Sequence, residues 1–270
     1  MTVMTVLRRK FFGLVLVVAG GLAGCATTAP ALDPAVRQTL APSGSLRLGV
    51  YPGSPTSMVR DAKTGEAAGV ALNLGQALGK QLGVPVQVVE FSRLALVLEA
   101  LKIGAVDFTL TNATEVRARD IDFTEPMIQL ELGFLVPPNT SLTDAGEVDK
   151  AGLRVGVAQG SSSQGTLGRV FKRATVVPTA SLAHAQQMLL RGELDGFATN
   201  KGILFEMNEG LPGFHVMDGR WGVENLAIGI PKGRDSAMPY VRQFARDMRT
   251  SGLLQSFVVK AGLRGAAIPD

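Results

Sequence analysis

The feature that most constrains the fold of this chain is a repeated alternation of short apolar runs with stretches of helical periodicity. Leu46–Val50 and 106–111 are short and apolar, whereas Val70–Leu82 places leucine and alanine at helical spacing. Strands and helices that alternate in this order favour a largely parallel sheet covered by helices. The same alternation begins again at 153–199, after Pro137. The sequence therefore predicts an α/β protein with two lobes, each built on a mostly parallel sheet with helices on both faces.

The element pattern also predicts how the lobes are connected. The predicted strands span 46–50, 84–91, 106–111, 127–136, 153–158, 175–177, 196–199 and 224–230. The predicted helices span 70–82, 92–102, 161–171, 181–191, 236–252 and 253–261, with Ser92 able to cap the second. We assign 44–134 and 226–270 to the first lobe and 135–225 to a second lobe inserted in it, which requires two crossings and a hinge.

The amino-terminal residues have the pattern of an export signal. Three basic residues, Arg8 to Lys10, precede an apolar stretch, 11–22, that is too short to span a bilayer comfortably. The following Leu-Ala-Gly-Cys ends at Cys25 and resembles the lipobox of bacterial lipoproteins, in which that cysteine is lipidated. We expect a signal peptide over 1–24, a lipidated tether over 25–43, and a mature protein on the periplasmic or cell-surface side of a membrane. A short transmembrane anchor is the alternative, and the export route stays open.

Composition excludes several classes of function. The net charge is +4, but removal of the three basic residues of the signal leaves 24 basic against 23 acidic residues, which argues against a nucleic-acid partner. Cys25 is the one cysteine, so no intrachain disulfide forms. The two histidines, His184 and His215, lie far apart in the sequence, and we expect neither a metal nor a cofactor.

Five motifs in order resemble the family 3 bacterial solute-binding proteins of ABC importers, the polar amino-acid binders. The matching segments are Gly69-Val70-Ala71-Leu72-Asn73-Leu74, Gly104-Ala105-Val106-Asp107, Thr114-Glu115-Val116-Arg117 with Ile121-Asp122-Phe123-Thr124-Glu125-Pro126, Arg154-Val155-Gly156-Val157-Ala158-Gln159-Gly160-Ser161-Ser162, and Gly192-Glu193-Leu194-Asp195-Gly196. The resemblance covers about 44–262. It implies the type II periplasmic-binding fold, with a small anionic or zwitterionic ligand in the cleft between the lobes. It also implies delivery to an ABC permease supplied in trans, by a protein that we expect to be monomeric.

The resemblance assigns the ligand's α-carboxylate to Arg117. A guanidinium pairs with a carboxylate through two parallel hydrogen bonds and stays charged when buried. An ion pair with Asp120 or Asp122 is the structural alternative for this arginine. Neighbouring Arg119 is expected to be solvated.

Other binding candidates follow predicted strands, where ligands bind in open α/β sheets. The family pattern implies carboxylate contacts from the loop before Arg117 and aromatic cover from residues that follow two strands. Backbone N–H groups at the start of a helix would complete an anion site, although a serine there also caps the helix. These candidates are Thr111, Asn112, Thr114, Gly160, Ser161, Ser162, Tyr51 and Phe91. Turn chemistry is the alternative for the loop residues, and core packing is the alternative for the two aromatics.

Asn200 departs from the family pattern, which has an aspartate here that pairs with an α-ammonium. An amide accepts a hydrogen bond but carries no charge, so a buried ammonium loses its partner. The ligand is then either an organic acid without an amino group or an amino acid whose ammonium is held elsewhere, for instance by Glu224. Lys201, if it points inward, adds a positive charge.

The sequence gives little support for an enzyme. No nucleophile elbow or dinucleotide fingerprint is present, and Ser163, Asp195 and His215 match a hydrolase triad in chain order alone. A periplasmic dehydratase of cyclohexadienyl acids shares the fold and would need Glu224 or Glu206 as its acid. We therefore expect a binding protein and not an enzyme, with the dehydratase and a sensory module that acts in trans as alternatives.

Overall fold

A computed structural model describes residues 1–2 and 33–269 of the chain. The predicted lipidation site, Cys25, and nearly all of the predicted signal peptide lie outside the described residues. Among the residues that are described, no helix has the length and apolar character that crossing a membrane requires.

The described elements alternate along the chain. The α-helices are α1 (Pro34–Leu40), α2 (Val70–Leu82), α3 (Leu94–Lys102), α4 (Ser162–Val170), α5 (Leu182–Leu190), α6 (Lys201–Glu209), α7 (Met238–Thr250) and α8 (Leu253–Lys260). The strands are β1 (Leu46–Val50), β2 (Val59–Arg60), β3 (Ala67–Ala68), β4 (Val86–Glu90), β5 (Thr109–Asn112), β6 (Ile121–Phe123), β7 (Ile128–Val136), β8 (Arg154–Ala158), β9 (Thr175–Thr179), β10 (Gly196–Asn200), β11 (His215–Val216), β12 (Gly222–Pro231) and β13 (Ala266–Ala267).

Two long antiparallel strands, β7 and β12, connect the lobes. They pair with each other from Gly222 opposite Leu132 to Leu226 opposite Ile128. Beyond this shared stretch, β12 pairs with β5 in the first lobe and β7 pairs with β10 in the second. The predicted lobe boundaries, at 134/135 and 225/226, fall inside these two strands.

The first lobe packs β1, β4 and β5 against helices from both ends of the chain. β1 and β4 are parallel, and a parallel bridge joins Leu48 to Phe108 just before β5. Leu74 and Leu78 of α2, together with Phe244 of α7, are fully buried in the same apolar cluster. The two carboxyl-terminal helices therefore pack in the same apolar cluster as β1 and α2.

The second lobe is a parallel arrangement of β10, β8 and β9 with a separate apolar cluster on each face. One cluster joins α5 and α6 to the sheet and contains Phe197 and Leu204. The other joins α4 to the sheet and contains Phe134, Val157 and Leu167. Burial of both faces explains why these short strands read as continuous apolar runs.

An arginine–aspartate clamp occurs once in each lobe with the same geometry. The side chain of Arg47 donates to both carboxylate oxygens of Asp107 and to the carbonyl oxygen of Gly104, at 2.7–2.8 Å. The side chain of Arg154 does the same with Asp195 and Gly192, at 2.7–3.0 Å. The resembling motifs that contain Asp107 and Asp195 therefore tie the first strand of each lobe to a later one.

The structure differs from the predicted elements in several places, and three of these differences concern helices or their caps. It contains α6, which we did not predict, and it continues the strand before it to Asn200. Ser92 does not cap α3, because Arg93 holds the N-cap position and provides no side-chain cap. Residues 34–41 of the expected tether are folded, since they form α1 and its end, with Leu40 and Ala41 buried in the described body.

The two clamps differ in burial and therefore test how burial changes the contribution of an ion pair to stability. Asp107 is fully buried between Arg47 and Arg234, whereas the Asp195 side chain remains 33% exposed. Asp107→Asn leaves two guanidinium groups unpaired in a buried site and is expected to lower the free energy of unfolding by about 3–5 kcal/mol. Asp195→Asn is expected to lower it by about 1 kcal/mol or less. Urea denaturation measures both values, and equal losses in the two variants would contradict this explanation.

Candidate ligand-binding site between the lobes

A small cavity lies between the two lobes at the carboxyl ends of their strands. It is lined from β1, β4 and β5 on one side and from β8, β9 and β10 on the other. The lining residues are Tyr51, Thr56, Ser92, Arg93, Leu94, Leu110, Thr111, Asn112, Arg117, Ala158, Gln159, Ser161, Thr179, Ser181, Leu182, Thr199, Asn200, Ile203, Glu224 and Leu226. The open volume of the cavity in this closed form is about 40 Å³.

Direct contacts across the cavity show that the lobes are closed. Tyr51, which follows β1, packs against the second-lobe cluster that contains Leu182. Gly160, which precedes α4, lies so close to Ala95 of α3 that a Cβ at Gly160 would be 2.7 Å from the Ala95 Cβ. One nitrogen of Arg117 also donates to the Gly160 carbonyl oxygen at 3.4 Å.

Arg117 is held at the cavity wall by neutral acceptors. Its Nη1 donates to Thr111 Oγ1 at 2.9 Å and to the Asn112 carbonyl oxygen at 3.0 Å. Burial lowers the pKa of the guanidinium from its ordinary value, while Glu224 and Tyr51 act in the opposite direction. A guanidinium nevertheless stays protonated in proteins, so the cavity contains a positive charge that no carboxylate pairs directly within the described residues.

The alternative ion pairs for Arg117 do not form. Asp120 pairs with Lys102 at 3.3 Å, and Asp122 pairs with Lys232 at 2.7 Å. The structure therefore leaves Arg117 facing the cavity.

Glu224 supplies the negative charge of the cavity. It lies on β12, one of the two crossing strands, and is only 7% exposed. Its Oε1 accepts from Ser162 Oγ at 2.5 Å, and its Oε2 accepts from Asn200 Nδ2 at 3.1 Å. Within the described part of the chain it forms no ion pair with a lysine or an arginine.

Asn200 does not offer its amide oxygen as a free acceptor, contrary to our expectation. The oxygen caps α6 by accepting from the backbone nitrogen of Ile203 at 3.1 Å, and the amide nitrogen donates to Glu224. Lys201 does not add charge to the cavity either, since it pairs with Glu131 at 2.8 Å. Asn200 therefore orients the carboxylate that lies beside it.

Tyr51 contributes a neutral phenol. Burial, together with the charge of Glu224, raises its pKa to about 12, although Ser54 and Arg117 oppose the shift. Its aromatic ring closes one wall of the cavity and packs against the second lobe.

The start of α4 carries three of the predicted residues. Ser161 lines the cavity and caps α4, because its Oγ accepts from the backbone nitrogen of Gln164 at 3.1 Å. The backbone nitrogen of Gly160 donates to the Gln164 side chain at 2.7 Å, so it is already occupied. Ser162 reaches the site through its bond to Glu224, and it lines an adjoining cavity together with Thr114 and Gly160.

Phe91 lies elsewhere, which corrects the expectation that it covers a ligand. It packs in the first lobe with an apolar cluster that includes Leu101 and Val106 and does not line the cavity. Core packing, the alternative interpretation, describes its position.

Sequence reasoning missed one charged residue of the cavity, Arg93. It directly follows Ser92 at the carboxyl end of β4, so the rule that placed the other candidates also applied to it. The missed neutral residues, such as Gln159 and Ser181, occupy the same kind of position after β8 and β9.

The chain belongs to the bacterial extracellular solute-binding proteins, family 3, whose family model matches residues 46–261. A glutamine-binding protein of Geobacillus stearothermophilus is 24% identical over 179 residues, which cover 64% of this chain and 68% of that protein. The crystal structure of the solute receptor for L-cysteine of Neisseria gonorrhoeae matches with a TM-score of 0.75 and 23% identity, over 83% of this chain and 92% of the other.

An ancestral amino-acid-binding protein described as a precursor of cyclohexadienyl dehydratase matches with a TM-score of 0.72 and 23% identity, over 83% of this chain and 98% of the other. These similarities confirm the predicted family and the two-lobe type II periplasmic-binding fold. The chain is accordingly a solute-binding protein of the kind that works outside the cytoplasm.

The tight approach of Gly160 to Ala95 predicts that a single methyl group opposes closure. Gly160→Ala is expected to weaken ligand binding by about 5- to 150-fold, because overpacking of this size costs about 1–3 kcal/mol. Isothermal titration with the best-binding amino acid measures the effect.

Gly252→Ala is the matched control for Gly160→Ala. Both glycines have a φ of 76°, but a Cβ at Gly252 would meet nothing within 4 Å. Equal loss of affinity in the two variants would show that backbone strain, and not contact between the lobes, is responsible.

Proposed function

We propose that this protein binds an amino acid in the cavity between its lobes and presents it to the permease of an ABC importer. The observation that carries the proposal is the presence of Arg117 and Glu224 on the walls of one closed cavity without an ion pair between them. The names of several similar proteins, which include a glutamine-binding protein and an L-cysteine receptor, agree with a ligand of this class.

The two charges match the two charges of an amino acid. A guanidinium held by neutral acceptors has donors left for an α-carboxylate, and Arg117 already uses Nη1 for Thr111 and Asn112. The carboxylate of Glu224 accepts one hydrogen bond on each oxygen, which leaves lone pairs for an ammonium. Asn200 is compatible with an organic acid that lacks an amino group and with an amino acid whose ammonium is held elsewhere. The position of Glu224 favours the amino acid.

Closure follows from the positions of these groups. The ligand first contacts Arg117 on the first lobe and is then enclosed by Ser161 and the other second-lobe residues of the cavity. Because only the closed form contacts the ligand from both sides, binding shifts the population toward that form. The monomer in this closed form is the species that the permease recognises.

The charge complementarity is tested with a pair of ligands that differ in one group. The pair consists of the L-amino acid that gives the largest thermal shift and the α-hydroxy acid with the same side chain. Wild-type protein is expected to bind the amino acid at least about 30-fold more tightly, because Glu224 is otherwise left without its charged partner. Glu224→Gln should lose most of this preference, and Arg117→Ala should weaken both ligands by at least about 30-fold.

Arg119→Ala is the control for Arg117→Ala, since it removes an exposed guanidinium from the same turn. It is expected to leave both affinities within about twofold. Wild-type affinity in Arg117→Ala, or equal losses for the two ligands in Glu224→Gln, would refute the proposed site.

The second part of the proposal concerns the attachment of the protein to a membrane through its amino-terminal segment. We propose that residues 1–24 are removed on export and that Cys25 carries the lipid anchor of the mature protein. Cys25→Ser is expected to move the protein from the membrane to the soluble fraction without a change in ligand affinity. The reason is that acyl chains provide about 0.8 kcal/mol per buried CH₂ group. Fractionation that finds the variant still on membranes would contradict the anchor.

The dehydratase alternative needs a protonated acid in the cavity. Burial and the neighbouring Glu209 raise the pKa of Glu206, but this residue lines a different cavity with Gln186 and Met207. Glu224, the other acid considered, is occupied by hydrogen bonds from Ser162 and Asn200. Formation of an aromatic product from prephenate or arogenate is the observation that would favour the enzyme.

A further inference from the structure

We infer that Arg93 binds a second negatively charged group on the ligand, so that the ligand class is the dicarboxylic amino acids. This inference rests on the proposed function and specifies the side chain of the amino acid. Arg93 lies at the carboxyl end of β4, directly before α3, and lines the same cavity as Arg117 and Glu224.

The side chain of Arg93 has no partner within the part of the chain that the structure describes. Its Nε is buried and has no hydrogen-bond partner, and the arginine forms no ion pair with a carboxylate among residues 33–269. A buried donor without a partner costs free energy that a bound acceptor recovers. Arg47, Arg154 and Arg234, in contrast, are each bonded to a carboxylate.

The charges of the cavity leave an excess that a second ligand carboxylate balances. Arg93, Arg117 and Glu224 are the charged residues of its lining, and Tyr51 is neutral, so the net charge is +1. A neutral zwitterion uses Arg117 and Glu224 and leaves one guanidinium uncompensated in a closed site. An amino acid with an acidic side chain carries a net charge of −1 and neutralises all three groups.

The amino terminus of α3 also favours a negatively charged group beside Arg93. Three other helices begin at the cavity, and side chains cap each of them: Ser161 for α4, Ser181 for α5 and Asn200 for α6. The start of α3 has no side-chain cap. The Leu96 N–H donates to the Arg93 carbonyl oxygen at 3.2 Å, so the uncapped first turn and the positive end of the helix dipole lie beside Arg93 and favour an anion there.

The test compares acids with their amides, which have nearly the same shape. The probes are L-glutamate against L-glutamine and L-aspartate against L-asparagine, measured by isothermal titration on the purified mature protein. Wild-type protein is expected to bind at least one of the two acids 30-fold or more tightly than its amide, by roughly the effect of a buried charge partner. Arg93→Gln should reduce this ratio to less than about fivefold, while Arg119→Ala should retain it. Thermal melting of Arg93→Gln checks that the variant is folded.

The outcomes separate this inference from the proposed function. Tighter binding of the amides, with no change in the ratio in Arg93→Gln, would overturn the role of Arg93 and leave the amino-acid site standing. Glutarate, which has two carboxylates and no ammonium, tests whether Glu224 binds the ammonium of the ligand. If glutarate binds as tightly as L-glutamate and Arg93→Gln weakens both, the proposed role of Glu224 is wrong, while the binding of a second carboxylate by Arg93 is supported. Failure of all five probes to bind would overturn the inference.

Discussion

Recognition of the ligand depends on a buried carboxylate, Glu224, that has hydrogen-bond partners but no cation partner among the described residues. Burial of a charge without an opposite charge is unfavourable, so such a group persists where a ligand provides the missing partner. Ser162 and Asn200 orient it, and Arg117 lines the same cavity without pairing with it. The cavity therefore holds two opposite charges apart, which is the condition for recognising a zwitterion.

In the proposed function, the position of Glu224 also connects recognition of the ligand to movement of the lobes. It lies on β12, one of the two strands that cross between lobes, and both of its partners lie after the first crossing, on β10 and α4. Each lobe contains its own clamp, between Arg47 and Asp107 or between Arg154 and Asp195. Rigid lobes joined by two strands move as units, so a contact at the crossing and contacts at the cavity rim change together.

Local patterns predicted the fold better than the site. The bounds of β1 and α2 were predicted to the residue because apolar spacing and Gly83, a left-handed cap, determine them locally. α6 was missed because Asn200 was interpreted as a departure from a family pattern and not as a helix cap. The link from Glu224 to Ser162 joins residues 62 positions apart, and no local pattern encodes such a contact. Arg93 was missed because Ser92, beside it, was interpreted as the cap of α3.

A crystal structure of the protein with its best-binding amino acid would show the proposed contacts directly. We expect the ligand's α-carboxylate to accept two hydrogen bonds from Arg117 and its ammonium to donate to Glu224, with donor–acceptor distances of about 2.7–3.2 Å. A ligand bound outside the cavity, or one whose ammonium faces away from Glu224, would contradict this expectation.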